Sequence, residues 1–148
     1  MGLIKKKIFP QANDFKKILK LISLNDEDLK NNDKIMNELN IGLRQVNYYL
    51  SSLEYFDVVE SRNFTDYGKK LKKLPYNIMI KSLIKLILSN EVFFDVFYEM
   101  HFLKKNVSAT NIGDYIFFEG EVKSERVAYR RGSTVKSWVE WIIKHINP

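Results

Sequence analysis

Apolar positions recur three and four apart along most of this chain, and that spacing predicts a mainly helical protein. Phe15, Ile18, Leu19 and Ile22 mark a first helix, with Asn13 or Asp14 placed to cap it. Asp33 is placed to cap a short helix carrying Ile35, Met36 and Leu39. A Gly-containing turn follows at Asn40-Ile41-Gly42, and Val46, Tyr49, Leu50 and Leu53 then fall on one face of a further helix. Val58-Val59 and Phe64-Thr65 flank a polar tip and read as two short strands. A short helix starts at Thr65, and Pro75 breaks it.

The second half continues the helical period. Residues 76–88 predict a strong helix, ended by Ser89-Asn90. Another runs from Glu91 through Val92, Phe93, Phe94, Val96 and Phe97 to Met100. That Phe-rich stretch has nearly too many large apolar residues for one buried face; it reads mainly as core, with a dimer or partner contact as the alternative. Residues 111–118 read as the next helix, and Ser124 as the cap of another. Ser133 or Thr134 caps a final one, in which Val135, Trp138, Ile142 and His145 or Ile146 form a stripe.

The outward positions of the helix after the Gly42 turn carry chemistry. Arg44, Gln45, Asn47 and Tyr48 combine a bidentate donor, two amides and an aromatic hydroxyl. Such groups suit base edges and phosphates in a DNA major groove. A solvated face more often alternates Glu and Lys, so contact with DNA stands beside an ordinary helix surface as the alternative. Tyr48 and Tyr49 are adjacent, so one faces inward; the spacing assigns Tyr49 to the core. Helix, turn, helix and hairpin in that order form a winged helix-turn-helix layout, with Arg62 and Asn63 at the wing tip.

Three stretches resemble a prokaryotic winged helix-turn-helix family found in type II restriction enzymes and related defence proteins. They are Phe9-Pro10-Gln11-Ala12-Asn13-Asp14-Phe15, then Arg44-Gln45-Val46-Asn47-Tyr48-Tyr49 as R-Q-x-x-Y-Y, then Phe64-Thr65-Asp66-Tyr67-Gly68 as L-T-x-x-G. Phe56-Asp57 stands where that family carries Leu-Gly. Arg130-Arg131-Gly132-Ser133-Thr134-Val135-Lys136-Ser137-Trp138-Val139-Glu140-Trp141 resembles the R-R-x-x-T-V-x-S-W-x-x-W end of the same group, and Val127 stands where Thr is common. The resemblance implies two tandem winged helix-turn-helix-like units, residues 1–74 and 75–148. In the second, Lys123, Arg126, Tyr129, Arg130 and Arg131 would point outward to DNA. The implied role is a sequence-recognition domain or subunit associated with a restriction system. A transcriptional regulator is the alternative within the DNA-binding class, and a winged-helix protein-interaction module the alternative outside it.

Composition narrows the partners. The 148 residues are 45% apolar and carry 24 basic against 18 acidic side chains, a net charge of +6. Residues 1–74 hold 14 basic and 10 acidic groups, and residues 75–148 hold 10 and 8, so both halves favour a polyanion such as double-stranded DNA. There is no cysteine, hence no disulfide, Cys-based zinc site or thiol nucleophile. His101 and His145 are too few and too far apart to argue a metal, and no cofactor is expected. The first residues lack the long apolar region of a secretory signal, so a soluble, cytoplasmic, membrane-free protein is expected. A restriction enzyme domain or subunit and a second copy of the chain complete the expected partners.

The remaining candidates read as structure first. Trp138 and Trp141 fit packing better than base stacking. Arg130 and Arg131 could pair with Glu119, Glu121 or Glu125 instead of DNA. Asp114, Glu121 and Lys123 have the order of a restriction-type nuclease site, with two carboxylates for Mg²⁺ and a lysine for water. That chemistry needs adjacent strands, and the flanking sequence reads as helix. No enzyme is therefore expected.

Overall fold

Polar caps set where most helices of the first half begin. The computed structural model describes residues 7–120, 122 and 124–147. Asp14 caps α1 (Phe15–Ile22) by accepting from Lys16 N at 3.0 Å. Asn25 and Asp28 form a reciprocal capping box on α2 (Asp26–Leu29), a helix too short to show a period in the sequence. Asn31, not the expected Asp33, caps α3 (Asn32–Leu39), because its carboxamide meets Lys34 N at 3.1 Å while Asp33 already lies inside the first turn. Asn40 ends α3 in the left-handed region, at φ 54° and ψ 55°. Asn tolerates this conformation better than most side chains. The turn feeds α4 (Leu43–Tyr55), whose Val46, Tyr49, Leu50 and Leu53 are buried as the spacing requires.

The hairpin is small and tightly held. β1 (Val59–Glu60) and β2 (Asn63–Phe64) pair antiparallel, Val59 with Phe64 and Glu60 with Asn63. Ser61 and Arg62 form the two-residue turn with φ of 47° and 60°, the mirror-image geometry that matches strand twist. Thr65 then caps α5 (Asp66–Lys73), accepting from Gly68 N at 3.0 Å and donating to Asp57 O at 2.5 Å. A Cβ at Gly68 would fall inside the Val58 carbonyl. The T-x-x-G element is thus a packing device that seats α5 on the hairpin.

In the second half, α6 (Tyr76–Leu88) starts directly after Pro75, and Asn90 caps α7 (Glu91–Phe97). Residues Tyr98–Phe102 continue α7 as a π-helical turn. Ser108 caps α8 (Ala109–Phe118), and Ser124 caps α9 (Glu125–Ile146). The separate recognition and final helices expected around Ser133 or Thr134 are one helix of 22 residues. Thr134 is fully buried, and its hydroxyl donates to Asn13 Oδ1 at 2.5 Å instead of capping a new helix. Among the described residues no strand follows β2, and α8 and α9 pack together as a helical hairpin.

One core spans both halves, so the expected boundary at residue 74 separates two helices but not two cores. Trp138 of α9 lies 5.3 Å from the Phe15 ring, 5.4 Å from Phe93 and 6.0 Å from Phe56, and its indole N–H donates to Ala12 O at 2.7 Å. Val135 and Ile142 share its buried stripe, whereas His145 and Ile146 are exposed near the helix end. Trp141 is partly buried against Phe15 and stacks on His145. The architecture is mainly α, with nine α-helices and one two-stranded sheet among the described residues. No described helix is long and apolar enough to cross a membrane.

Candidate nucleic-acid interface

The first turns of α4 present Arg44, Gln45 and Asn47 to solvent, with Tyr48 partly covered beside them. Arg44 Nε donates to the Tyr48 hydroxyl at 3.1 Å, one helical turn away. That bond, reinforced by the charges of Arg44 and Arg130 and a bond from Gln11, holds the Tyr48 phenol below its ordinary pKa, although partial burial opposes the shift. Tyr49 points the other way. It is buried, its hydroxyl accepts from Asp14 N at 3.2 Å, and desolvation raises its pKa.

The placement of α9 brings a second set of residues to the same face. A cleft of about 300 Å³ is lined by Gln11 and Asp14 before α1, Gln45 and Tyr48 from α4, and Arg130 and Ser133 from α9. Gln45 and Tyr48 of α4 and Arg130 of α9 therefore border one cleft, and Arg44 bonds to the Tyr48 that lines it. Asp14 brings a carboxylate to the cleft, and its side chain is already engaged in capping α1. Among the described residues no carboxylate pairs with Arg44, Arg126 or Arg130. Arg126, Tyr129 and Arg130 are exposed along α9, as the Ser124 cap predicts.

Three expected contacts are used inside the fold. Arg131 is half-buried and donates to the Phe9 carbonyl, and desolvation lowers its pKa. It ties α9 to the segment before α1 and does not reach outward. Arg62 turns back from the hairpin to Asn32 Oδ1 at 2.8 Å and Leu29 O at 3.3 Å. Asn63 accepts from Lys30 Nζ at 2.6 Å and donates to Ser61 O at 3.1 Å. The wing tip is therefore fastened to α2 and α3. Lys123 and Glu121 lie outside the described residues, and Asp114 sits exposed on helix α8. Gln11 and Ser133 border the cleft although the sequence did not mark them as contacts: Gln11 stood only within its motif, and Ser133 was a candidate helix cap.

Residues 17–147 match the model of a family described as a domain of unknown function (DUF7226). No curated protein and no solved structure matches. With all but the first sixteen residues and the last inside that match, this chain belongs to the DUF7226 domain family.

Proposed function

We propose that this chain binds duplex DNA, with the start of α4 in the major groove and Arg126 and Arg130 of α9 on the flanking backbone. The observation that carries this reading is that Gln45 and Tyr48 share one cleft with Arg130 while Arg44 bonds to Tyr48, and that among the described residues neither guanidinium is paired with a carboxylate. A helix turned toward its own protein would spend those charges on neighbours, as Arg62 and Arg131 do. In this reading α3, the Asn40 turn and α4 are a helix-turn-helix, β1 and β2 are its wing, and residues 1–74 are a winged helix-turn-helix unit. The second half adds basic groups to the same face from α9. The motif resemblance at residues 44–49 and 130–141 supports a tie to a restriction system, in which the chain would supply recognition and another domain or subunit the chemistry.

A salt series of fluorescence-anisotropy titrations with labelled duplex tests the reading. Contacts from Arg44, Arg126, Arg130 and two lysines would give a log–log slope near −4 to −5, at about −0.9 per phosphate. Arg44→Ala should weaken binding to a preferred sequence by about 1–3 kcal/mol with an unchanged melting temperature. Absence of duplex binding at low salt would overturn the proposal and favour a protein-interaction module.

A further inference from the structure

We propose that the outer face of α7 and its π-helical extension is the contact surface for a second copy of this chain. The inner rings of this segment, Phe93 and Phe97, are buried. The outer ones are not: Phe94, Tyr98, Phe102 and Leu103 are 46%, 45%, 61% and 45% exposed. They form one strip, with ring centroids 6.3 Å apart from Phe94 to Tyr98 and 5.4 Å from Tyr98 to Phe102. The π turn carries Phe102 back against Phe97 as well, at 5.9 Å, so the strip is held in place by the core.

Area and charge together point to a copy of the chain as the occupant. An aromatic side chain offers roughly 150–250 Å², so the four half-exposed residues present on the order of 400 Å². A standard interface takes about 800 Å² from each partner, an apolar centre inside a polar rim. The strip is the right size for that centre. Its ends carry opposite charges. Glu91 is exposed one turn before Phe94, and Lys104 is exposed just past Leu103. Among the described residues neither has an ion-pair partner, whereas the neighbouring Lys105 is held by Glu99 at 3.2 Å. Tyr98 stands seven residues after Glu91 and six before Lys104. A two-fold axis passing near Tyr98, with the two strips antiparallel, would set each Glu91 against the other copy's Lys104. This self-complementarity is what an isologous contact requires.

The strip also leaves α4 free. Asn90, the cap of α7, donates to the Tyr55 hydroxyl at 3.0 Å, so α7 begins beside the C-terminal end of α4. Arg44 lies at the other end, roughly 16 Å along the helix at 1.5 Å per residue. Self-association through α7 stands independently of DNA binding.

Sedimentation equilibrium of the full chain across micromolar concentrations tests the proposal. The parent should dimerise reversibly. Phe102→Glu should weaken association by about tenfold or more, as loss of a central aromatic contact does, with an unchanged circular-dichroism melt. Glu91→Lys and Lys104→Glu should each weaken self-association, because each sets like charges together twice. An equimolar mixture of those two variants should associate better than either alone, since every reversed charge then meets its opposite. A parent that stays monomeric, a dimer indifferent to Phe102→Glu, or a mixture no better than its components would each overturn the proposal. A monomer that instead binds phospholipid vesicles through Phe102 would reassign the strip to a lipid surface and overturn it likewise.

Discussion

Replacing Gly132 by Ala should destabilise the protein even though it removes a glycine from the middle of a 22-residue helix. Helix propensity alone predicts the opposite sign, a gain of about 1 kcal/mol. The structure supplies the opposing term. α8 and α9 run antiparallel, with the start of α8 at Gly132 and its end near Glu125. A Cβ at Gly132 would fall inside the Ala109 carbonyl and stand 2.8 Å from Gly113 N. Both obstacles are backbone, so no rotamer relieves them. Restoring ordinary contact moves the helices apart by roughly 1 Å, and a gap of that size forfeits a quarter to a half of each dispersion contact along the seam. Overpacking of this kind costs about 1–3 kcal/mol, and the backbone obstacles put it at the upper end. The net loss should be about 2 kcal/mol, or roughly 4–8 °C in melting temperature for a domain of this size. Gly113→Ala is the internal comparison: its Cβ would meet Ala128 O and Tyr129 Cα at 3.0 Å, a milder conflict that propensity nearly offsets. Thermal and denaturant melts of both variants decide the matter. A Gly132→Ala protein as stable as the parent would refute the close seam between α8 and α9.

Arg62→Ala should cost about 1.5–3 kcal/mol in a urea melt, the range for hydrogen bonds from a charged group, and leave the salt dependence of duplex binding unchanged; a slope reduced by about 1 would make Arg62 a phosphate contact after all. Asn31→Ala should cost about 1 kcal/mol through loss of the α3 cap, and Asp33→Ala much less, so equal losses would contradict the cap assignment. Tyr115 donates to Asp95 at 2.6 Å, and that bond, with burial and nearby carboxylates, holds its phenol well above the ordinary value. A raised folded-state pKa means its stabilisation is complete below about pH 10, where the unfolded chain's tyrosines ionise, and is lost as pH rises from there toward the folded value. Tyr115→Phe should therefore be less stable near neutral pH and lose less between neutral and alkaline pH in urea melts. Parallel stability curves for parent and variant would show that Tyr115 does not carry this linkage.

The helices were legible where an apolar stripe repeats over at least two turns. α1, α4, α6 and the start of α7 follow their stripes, and Tyr49 rather than Tyr48 is the buried tyrosine. The illegible parts share a cause: contacts between segments distant in sequence. α2 is four residues of mostly acid, and nothing local shows that its Leu29 carbonyl captures Arg62 from the hairpin. Gly132 and Thr134 look like a helix break followed by a cap. They are instead the place where α8 and the Asn13 segment come closest to α9, and that closeness keeps the helix whole.

The adjacent arginines of α9 show how far the helical period alone reaches. Arg131 lies three residues after buried Ala128, four before Val135 and seven before Trp138, and so falls on the stripe that faces the core. Arg130 is about 100° round the helix from that stripe, with Arg126 one turn before it on the same side. The period alone thus divides the pair into one internal tie and one free cation. What the period does not supply is the neighbour of the free one. Arg130 shares a cleft with Tyr48 and Gln45, and Arg131, Thr134, Ser137 and Trp138 all fasten α9 to residues 9–13, immediately before α1. Those four bonds set the position of α9 relative to α4. A motif that resembles a second reading unit therefore acts here as a clasp, and its one outward arginine borders the surface formed by the first.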